Sequence, residues 1–287
     1  MAPRATDGGR VKAQLAQTRA TLATAGIPLP WLDAEILLAH VLRSSRERLH
    51  SHPEHELTVA QRAQLRRLTS RRAARVPVPY LVGEREFYGH MFRVTPAVLI
   101  PRPSSELLVE LAIEWLNAHP HARRVIDLGT GSGAVAISVA KAVPQVRIEA
   151  RDVSARALRV ADENIAHFRL RRRITTVKAD LLRGAAPADL ILANLPYIPE
   201  ALRRIRPKEL EYEPGLALDG GRDGLSLIRT ALAQAPTAVK AGGLVLFECD
   251  PAQTRRIVRL AQGHWPAAQV SVHKDLAGQD RVVRIQS

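Results

Sequence analysis

The stretch "VIDLGTGSGAVAISVA", Val125 to Ala140, decides how the chain folds. It opens on "VIDL", an apolar run broken by one acid, which reads as a buried strand, and from Ala134 onward it carries the small and apolar residues of a packed helix. Between them stand Gly129, Gly131 and Gly133. A strand, a glycine turn and a helix in that order form the unit that starts an open parallel sheet. Glycine permits the tight turn and lets the backbone approach a ligand closely, and the first turn of the helix offers free N–H groups. The spacing is G-x-G-x-G rather than the G-x-G-x-x-G of dinucleotide turns.

Working outward, strand and helix texture alternate. A helix is expected around Glu106 to Ala118, a strand at "RVIDL", a helix over Ser132 to Val143, a strand at "VRIEARD" and a helix from Ala155 to His167. Strands "ITTVKA" and "DLILAN", a helix near Leu225 to Val239 and a strand "GLVLFEC" follow. Apolar strands alternating with helices argue for an α/β fold whose parallel sheet is covered on both faces. The last segment, "AQVSVHKDLAGQDRVVRI", reads instead as two strands joined by a short turn, so the sheet should end in an antiparallel hairpin.

Ahead of this lies a different texture. From Val11 to Arg75 the pattern is helical: "WLDAEILLAHVL" sets Leu32, Ile36 and Ala39 on one face, widened by Leu38 and Leu42, and Thr58 with Gln61 makes a capping box before Leu65 and Leu68. Pro77 and Pro79 stop the helices, and "LVGEREFYGHMFRVTPAVLIPRP" reads as a hairpin connector with turns at Gly83 and Gly89. The expected division is a helical bundle over 1–82, a β-hairpin connector over 83–103 and an α/β domain over 104–287.

The composition bounds the class of function. The 287 residues are 46% hydrophobic and 24% charged, with no apolar run near the ~20 residues needed to cross a bilayer, so no membrane partner is expected. The opening "MAPRATDGGR" lacks a secretory apolar core and one cysteine excludes an intrachain disulfide framework, so a cytoplasmic protein is expected. A formal charge of +14 invites a polyanion, yet only six of the 42 basic residues are lysine and the arginines are spread along the chain. The densest run, Arg169 to Arg173, reads as a solvated helix end, and no stable nucleic-acid partner is expected.

Candidate site residues fall at strand ends. Gly129, Thr130, Gly131, Ser132 and Gly133 form the cofactor loop. Asp127 ahead of it is placed to meet an ammonium group, which S-adenosyl-L-methionine has and a pyrophosphate lacks. Asp152 ends the next strand 21 residues after Gly131, where a carboxylate takes hydrogen bonds from ribose hydroxyls or, in the plainer reading, caps a helix. Asp180 and Leu181 would lie beside an adenine ring, Leu181 as an apolar wall. The fourth strand exits at "NLPY", Asn194, Leu195, Pro196 and Tyr197. A nitrogen conjugated with a carbonyl or ring is a poor nucleophile. Holding its hydrogens between the Asn194 side-chain oxygen and a backbone carbonyl, with Tyr197 stacked on the flat acceptor, aims its lone pair by orientation alone. Asn194 also borders the cofactor. The acceptor can be any such planar amine, an amide or an adenine.

Six stretches carry a resemblance: "LDAEILLAHVL", "YLVGEREFYGHMFRVTPAVLIPRP", "DLGTGSGAVAIS", "ANLPYIP", "YEPGLALDGGRDGL" and "AGGLVLFE". Together they span nearly the whole chain, and by them it resembles the PrmC/HemK family, which methylates the glutamine side-chain amide in the Gly-Gly-Gln motif of class I peptide chain release factors. The resemblance implies a class I S-adenosylmethionine-dependent methyltransferase fold with a seven-stranded sheet. It implies that Gly129 to Gly133, Asp152 and Leu181 contact S-adenosyl-L-methionine while Asn194 to Tyr197 hold the target glutamine, and that the bundle grips the release factor. A monomer is expected. The family usually has proline where this chain has Leu195, so a modest loosening of the acceptor turn is expected, and usually has glutamate where this chain has Ser104, which removes a carboxylate near the cofactor loop.

His50, His52 and His55 around Pro53 read as a polar turn rather than a metal site, and no metal is expected. Cys249 reads as an inert core thiol; Glu248 and Gln253, read as lying near the sheet's edge, are given no chemistry. Rival readings are a nucleic-acid adenine N6-methyltransferase, a ribosomal-protein glutamine methyltransferase and an idle interaction module.

Overall fold

A computed structural model of the chain describes residues 9–204 and 207–287. Residues 1–8, most of the opening stretch considered above, lie outside the described residues. The chain forms two units: residues up to Gly83 together with Lys208–Tyr212, and Glu84–Pro207 together with Glu213–Ser287. Among the described residues no helix is long and apolar enough to cross a membrane.

The first unit is helical: α1 (Val11–Thr24), α2 (Pro30–Leu42), α3 (Arg46–Ser51), α4 (Val59–Ala73) and α5 (Val78–Val82). The capping box starts α4 as expected, Gln61 N donating to Thr58 Oγ1 at 3.2 Å and Thr58 N to Gln61 Oε1 at 2.8 Å. In α2 the buried residues are Ala34, Leu37, Leu38, Ala39 and Val41: the expected Ala39 and Leu38 are buried, whereas Leu32, Ile36 and Leu42 are only partly so, and the stripe centres on Ala34, Leu37, Leu38 and Val41. The i, i+3, i+4, i+7 spacing of this set faces both α1 and α4, so packing from two sides selects it. Buried Arg72 ties the unit together, its Nε 2.7 Å from Asp33 and its Nη1 3.2 Å from Glu209 of the Lys208–Tyr212 turn.

The second unit opens with an antiparallel pair, β1 (Glu84–Phe87) and β2 (His90–Arg93), followed by α6 (Glu106–Ala118). Glu106 also accepts from Tyr88 N in the turn of that pair, at 2.9 Å. The α/β part runs β3 (Arg124–Leu128), α7 (Ala134–Ala142), β4 (Arg147–Asp152), α8 (Ala155–His167), β5 (Ile174–Lys178), β6 (Ala188–Ala193), α9 (Ser226–Ala238), β7 (Val239–Glu248), α10 (Thr254–His264), β8 (Gln269–Lys274) and β9 (Asp280–Gln286). The seven strands are ordered β5-β4-β3-β6-β7-β9-β8, parallel through β7, with β9 antiparallel to both β7 and β8. The link from β8 to β9 is too short for a crossover, which forces the reversal.

Strand alternation splits the core in two. Val125, Leu190, Leu192, Leu244 and Leu246 pack on one face with α6 and α7; Ile126, Leu128, Ile191, Val245 and Phe247 pack on the other with α9 and α10. Helix α10 was not anticipated, although Asp250 with Gln253 three residues on forms a capping box just ahead of it. Arg173, in the basic run, does more than face solvent, since its guanidinium donates to the carbonyl of Pro144 at 3.0 Å just past the end of α7.

Candidate active site

A cavity of about 420 Å³ opens at the carboxyl ends of β3, β4 and β6 and at the loop after β5. Its wall brings together Gly129, Thr130, Gly131, Ser132, Asp152, Leu181, Asn194, Leu195 and Pro196, all singled out from the sequence. Gly133 and Tyr197 are not part of it. Gly133 caps α7, where a Cβ would meet Ile137 Cδ1 at 3.3 Å and Ala161, so its smallness serves helix packing.

The glycine turn is bound to its neighbours by carboxylates. Gly131, at φ +56°, donates its N–H to Asp152 Oδ2 at 3.1 Å, and a Cβ there would find only Gly129 O at 3.9 Å, so the backbone faces open space. Asp152 Oδ1 accepts from Ser154 N at 2.8 Å, while the cap of α8 is the Ser154 hydroxyl. The plainer reading of Asp152 as the helix cap therefore fails; its carboxylate stands at the cavity wall with burial raising its pKa against three backbone N–H groups that lower it. Asp127 is 2% exposed and accepts from the Thr130 hydroxyl at 2.7 Å. Burial pushes it up to about 7, opposed by Thr130 and reinforced by the nearby Asp152 charge.

Leu181, at φ +49°, is held by a residue the sequence reading passed over. Arg151, 3% exposed, donates from Nε to Leu181 O at 2.8 Å and from Nη2 to Arg183 O, with Glu149 balancing its charge. A buried guanidinium thus shapes the apolar side of the cavity.

The acceptor turn is packed rather than loosened. Leu195 is 3% exposed, and a Cβ on Gly129 would lie 3.3 Å from its Cδ2, so the side chain backs the glycine turn. Burying a leucine stabilises by ~1.5–3 kcal/mol, which offsets the lost φ restriction of proline. Asn194 Nδ2 donates to Ser105 Oγ at 2.9 Å. Tyr197 is partly buried against the core; burial pushes its phenol pKa up, with Glu248 adding to the shift.

The segment Glu213 to Gly224 braces this turn. Glu213, 5% exposed, pairs with Arg102 and accepts from Ile100 N at 3.1 Å; Ile198 N donates to Leu218 O and Gly220 N to Ile198 O, both at 3.0 Å. Gln253 Nε2 donates to Tyr197 O at 2.8 Å. Ser104, expected near the cofactor loop, instead points its hydroxyl at Glu248 Oε1, 3.1 Å away. Glu248 is likewise not at an edge, because β7 lies between β6 and β9, and Gln253 lies beyond β7 in the turn before α10. Cys249 is fully buried, and burial pushes its thiol up to about 12, which suppresses the reactive thiolate. Among the described residues no group of three or more His, Cys, Asp or Glu is placed to hold a metal ion.

A parallel sheet with a reversed final strand, a glycine turn facing a carboxylate and an N-x-P-Y strand exit together define a methyltransferase, and the family models agree. The Methyltransferase small domain matches residues 103–203, and the PrmC N-terminal domain matches residues 13–83. The chain belongs to the release factor glutamine methyltransferase family: it is 40% identical over 263 residues to a protein of that name from Moorella thermoacetica, covering 91% of this chain and 92% of that one. It is also 41% identical over 260 residues to one from Bordetella pertussis, covering 88% and 94%. The solved hMettl16 catalytic domain, 15% identical with a TM-score of 0.56 over 76% of this chain and 81% of its own, shares the fold.

Proposed function

We propose that this protein transfers the methyl group of S-adenosyl-L-methionine to the side-chain amide nitrogen of the glutamine in the Gly-Gly-Gln motif of class I peptide chain release factors, in the cytoplasm. One observation carries the reading: a single cavity wall joins the Gly129 to Ser132 turn and Asp152 to Asn194 and Leu195. The cavity residues fit the methyl donor. The exposed backbone at Gly131 gives room for close approach, Asp152 has lone pairs left for ribose hydroxyls, Leu181 offers an apolar wall, and the buried Asp127 carboxyl suits an ammonium group.

When bound, S-adenosyl-L-methionine supplies an electrophilic methyl group on a cationic sulfur. The protein's own residues supply orientation. Asn194 Oδ1 and the carbonyl of Leu195 accept the two hydrogens of the glutamine amide, which fixes the amide with its nitrogen lone pair toward the donor methyl. Tyr197, expected to stack on the acceptor, lies one residue beyond the cavity wall and is partly buried against the core, so its part is to anchor the end of the acceptor turn. The Gly131 backbone, Asp152 and Leu181 would hold the donor, which supplies the methyl group and keeps the S–C electron pair, and the surplus N–H proton would leave to water. The helical unit grips the body of the release factor, away from the reacting amide.

The test uses purified protein, methyl-labelled S-adenosyl-L-methionine, a release factor, its Gly-Gly-Ala variant and DNA. Label on the wild-type factor and not on the variant supports the reading. Label on DNA alone contradicts it.

A further inference from the structure

A glutamine presents its amide on a flexible stem of methylene groups, whereas the amine of an adenine sits directly on a flat ring. A site that prefers glutamine therefore gains from an apolar surface beside the place where the amide is held. The cavity wall has such a surface in Pro214, Leu216 and Ala217, which line it together with Asn194, Leu195 and Pro196.

Leu216 is 59% exposed, while Glu213 and Leu218 on either side of it are each 5% exposed. Singly exposed leucines are ordinary on a protein surface. This one stands at the wall of a cavity, on a turn whose backbone is set. Ala217 N donates to Pro214 O at 2.9 Å, and Leu218 N and Asp219 N both donate to Gly215 O, at 3.1 and 3.0 Å. With the turn held this way and its flanking residues buried, the leucine is left outside.

Both ends of the turn are tied to the parts of the chain that flank Asn194. After it, Ile198 N donates to Leu218 O and Gly220 N to Ile198 O, which binds it to the chain leaving β6. Before it, Glu213 pairs with Arg102 and accepts from Ile100 N, on the connector whose Ser105 Oγ accepts from Asn194 Nδ2 at 2.9 Å. Asp152 ends β4 and Leu181 follows β5, both on the other side of β3 in the sheet. Leu216 thus belongs to the acceptor end of the cavity rather than the donor end.

Resting on the proposed function, in which Asn194 holds a glutamine amide, we propose that Leu216 is a specificity-determining residue whose side chain packs on the methylene stem of that glutamine. Covering the stem removes apolar surface from water on both partners, which adds affinity for the acceptor. The stem is unchanged by transfer, so the contact acts on binding and leaves the chemical step alone.

The experiment compares the full-length protein with its Leu216→Ala, Leu216→Met and Leu216→Asp variants, each offered a release factor and its Gly-Gly-Ala variant, which keeps the body of the factor and lacks the stem. Kd for both factors is measured with S-adenosylhomocysteine in place of the donor, so that no transfer occurs; kcat and KM are measured with S-adenosyl-L-methionine. Leu216→Ala is expected to raise Kd and KM for the unaltered factor about tenfold, the low end of what a buried leucine side chain contributes, with kcat within about twofold of wild type. Its Kd values for the Gly-Gly-Ala factor and for S-adenosyl-L-methionine are expected to stay within about twofold, because neither partner carries the stem. Leu216→Met keeps the apolar volume and is expected to stay within about threefold of wild type throughout. Leu216→Asp should weaken binding of the unaltered factor more than alanine does, because its carboxylate must lose water against the stem. Since Leu216 is exposed, Tm should move by no more than ~2 °C in any variant. If Leu216→Ala leaves Kd for the unaltered factor within about twofold, weakens both factors alike, or weakens S-adenosyl-L-methionine as much, the role given to Leu216 is wrong while the proposed function stands. Absence of transfer to the release factor by the unaltered protein overturns both.

Discussion

The side chain of Gln253 donates from Nε2 to the carbonyl oxygen of Tyr197 at 2.8 Å, and Gly224 sits directly against that bond. Three distant stretches meet there: the strand exit that carries Asn194, the segment from Glu213 to Gly224, and the turn before α10. The hydrogen bond fixes the far end of the acceptor turn, as Leu195 against Gly129 fixes its near end.

Gly224→Ala tests this brace. A Cβ at Gly224 would lie 2.3 Å from Gln253 Nε2 and 2.4 Å from Tyr197 O, in a backbone conformation of φ +76° that alanine resists. Overpacking and the left-handed conformation together should destabilise the protein by ~2–4 kcal/mol. Thermal unfolding should show a lowered Tm, and methyl transfer measured well below that Tm should still be reduced, because Tyr197 and its turn are displaced.

Leu195→Ala should act on both halves of the cavity. Removing a side chain that is 3% exposed leaves a void and should cost about 2–5 kcal/mol of stability. Because Leu195 backs the glycine turn, the Kd for S-adenosyl-L-methionine should rise several-fold. Calorimetric titration checks this, and an unchanged Kd would show that the turn holds its shape without Leu195.

Asp127 makes donor binding depend on pH. With its pKa pushed by burial from the ordinary carboxylate value of 3.8 up to about 7, the free protein binds an extra proton across that window. The associated stability is fully present below the unfolded pKa and is lost as pH rises to about 7. An ammonium group beside Asp127 requires the ionised form, so binding releases that proton, and affinity should rise by up to about tenfold per pH unit until about pH 7 and then level. Asp127→Asn should bind more weakly and with a flat profile over the same range.

The sheet and the cavity were legible because their signals are local. The run from Val125 to Ala140 contains strand, turn and helix side by side, and Asp152 and Asn194 each follow a recognisable apolar strand. What was missed depends on contacts between residues far apart in the chain. Nothing near Ser104 announces Glu248, and nothing near Glu209 announces Arg72 in the helical unit. Arg151 is buried because the loop after β5 closes over it, a contact that no pattern around Arg151 signals. Helix α10 is a different case: Ile257 and Ala261 do carry a helical period behind the Asp250 and Gln253 box, but the arginines around them mask it.

The most direct test of the account is to map the methyl group. The protein and its Asn194→Ala variant would each be incubated with S-adenosyl-L-methionine and a class I release factor, the factor digested, and its Gly-Gly-Gln peptide sequenced by mass spectrometry. The unaltered protein should place one methyl group on the glutamine side chain. Asn194→Ala should leave that peptide unmodified while its Kd for S-adenosyl-L-methionine stays within a few-fold of wild type. A methyl group on any other residue, or full modification by Asn194→Ala, would contradict the account.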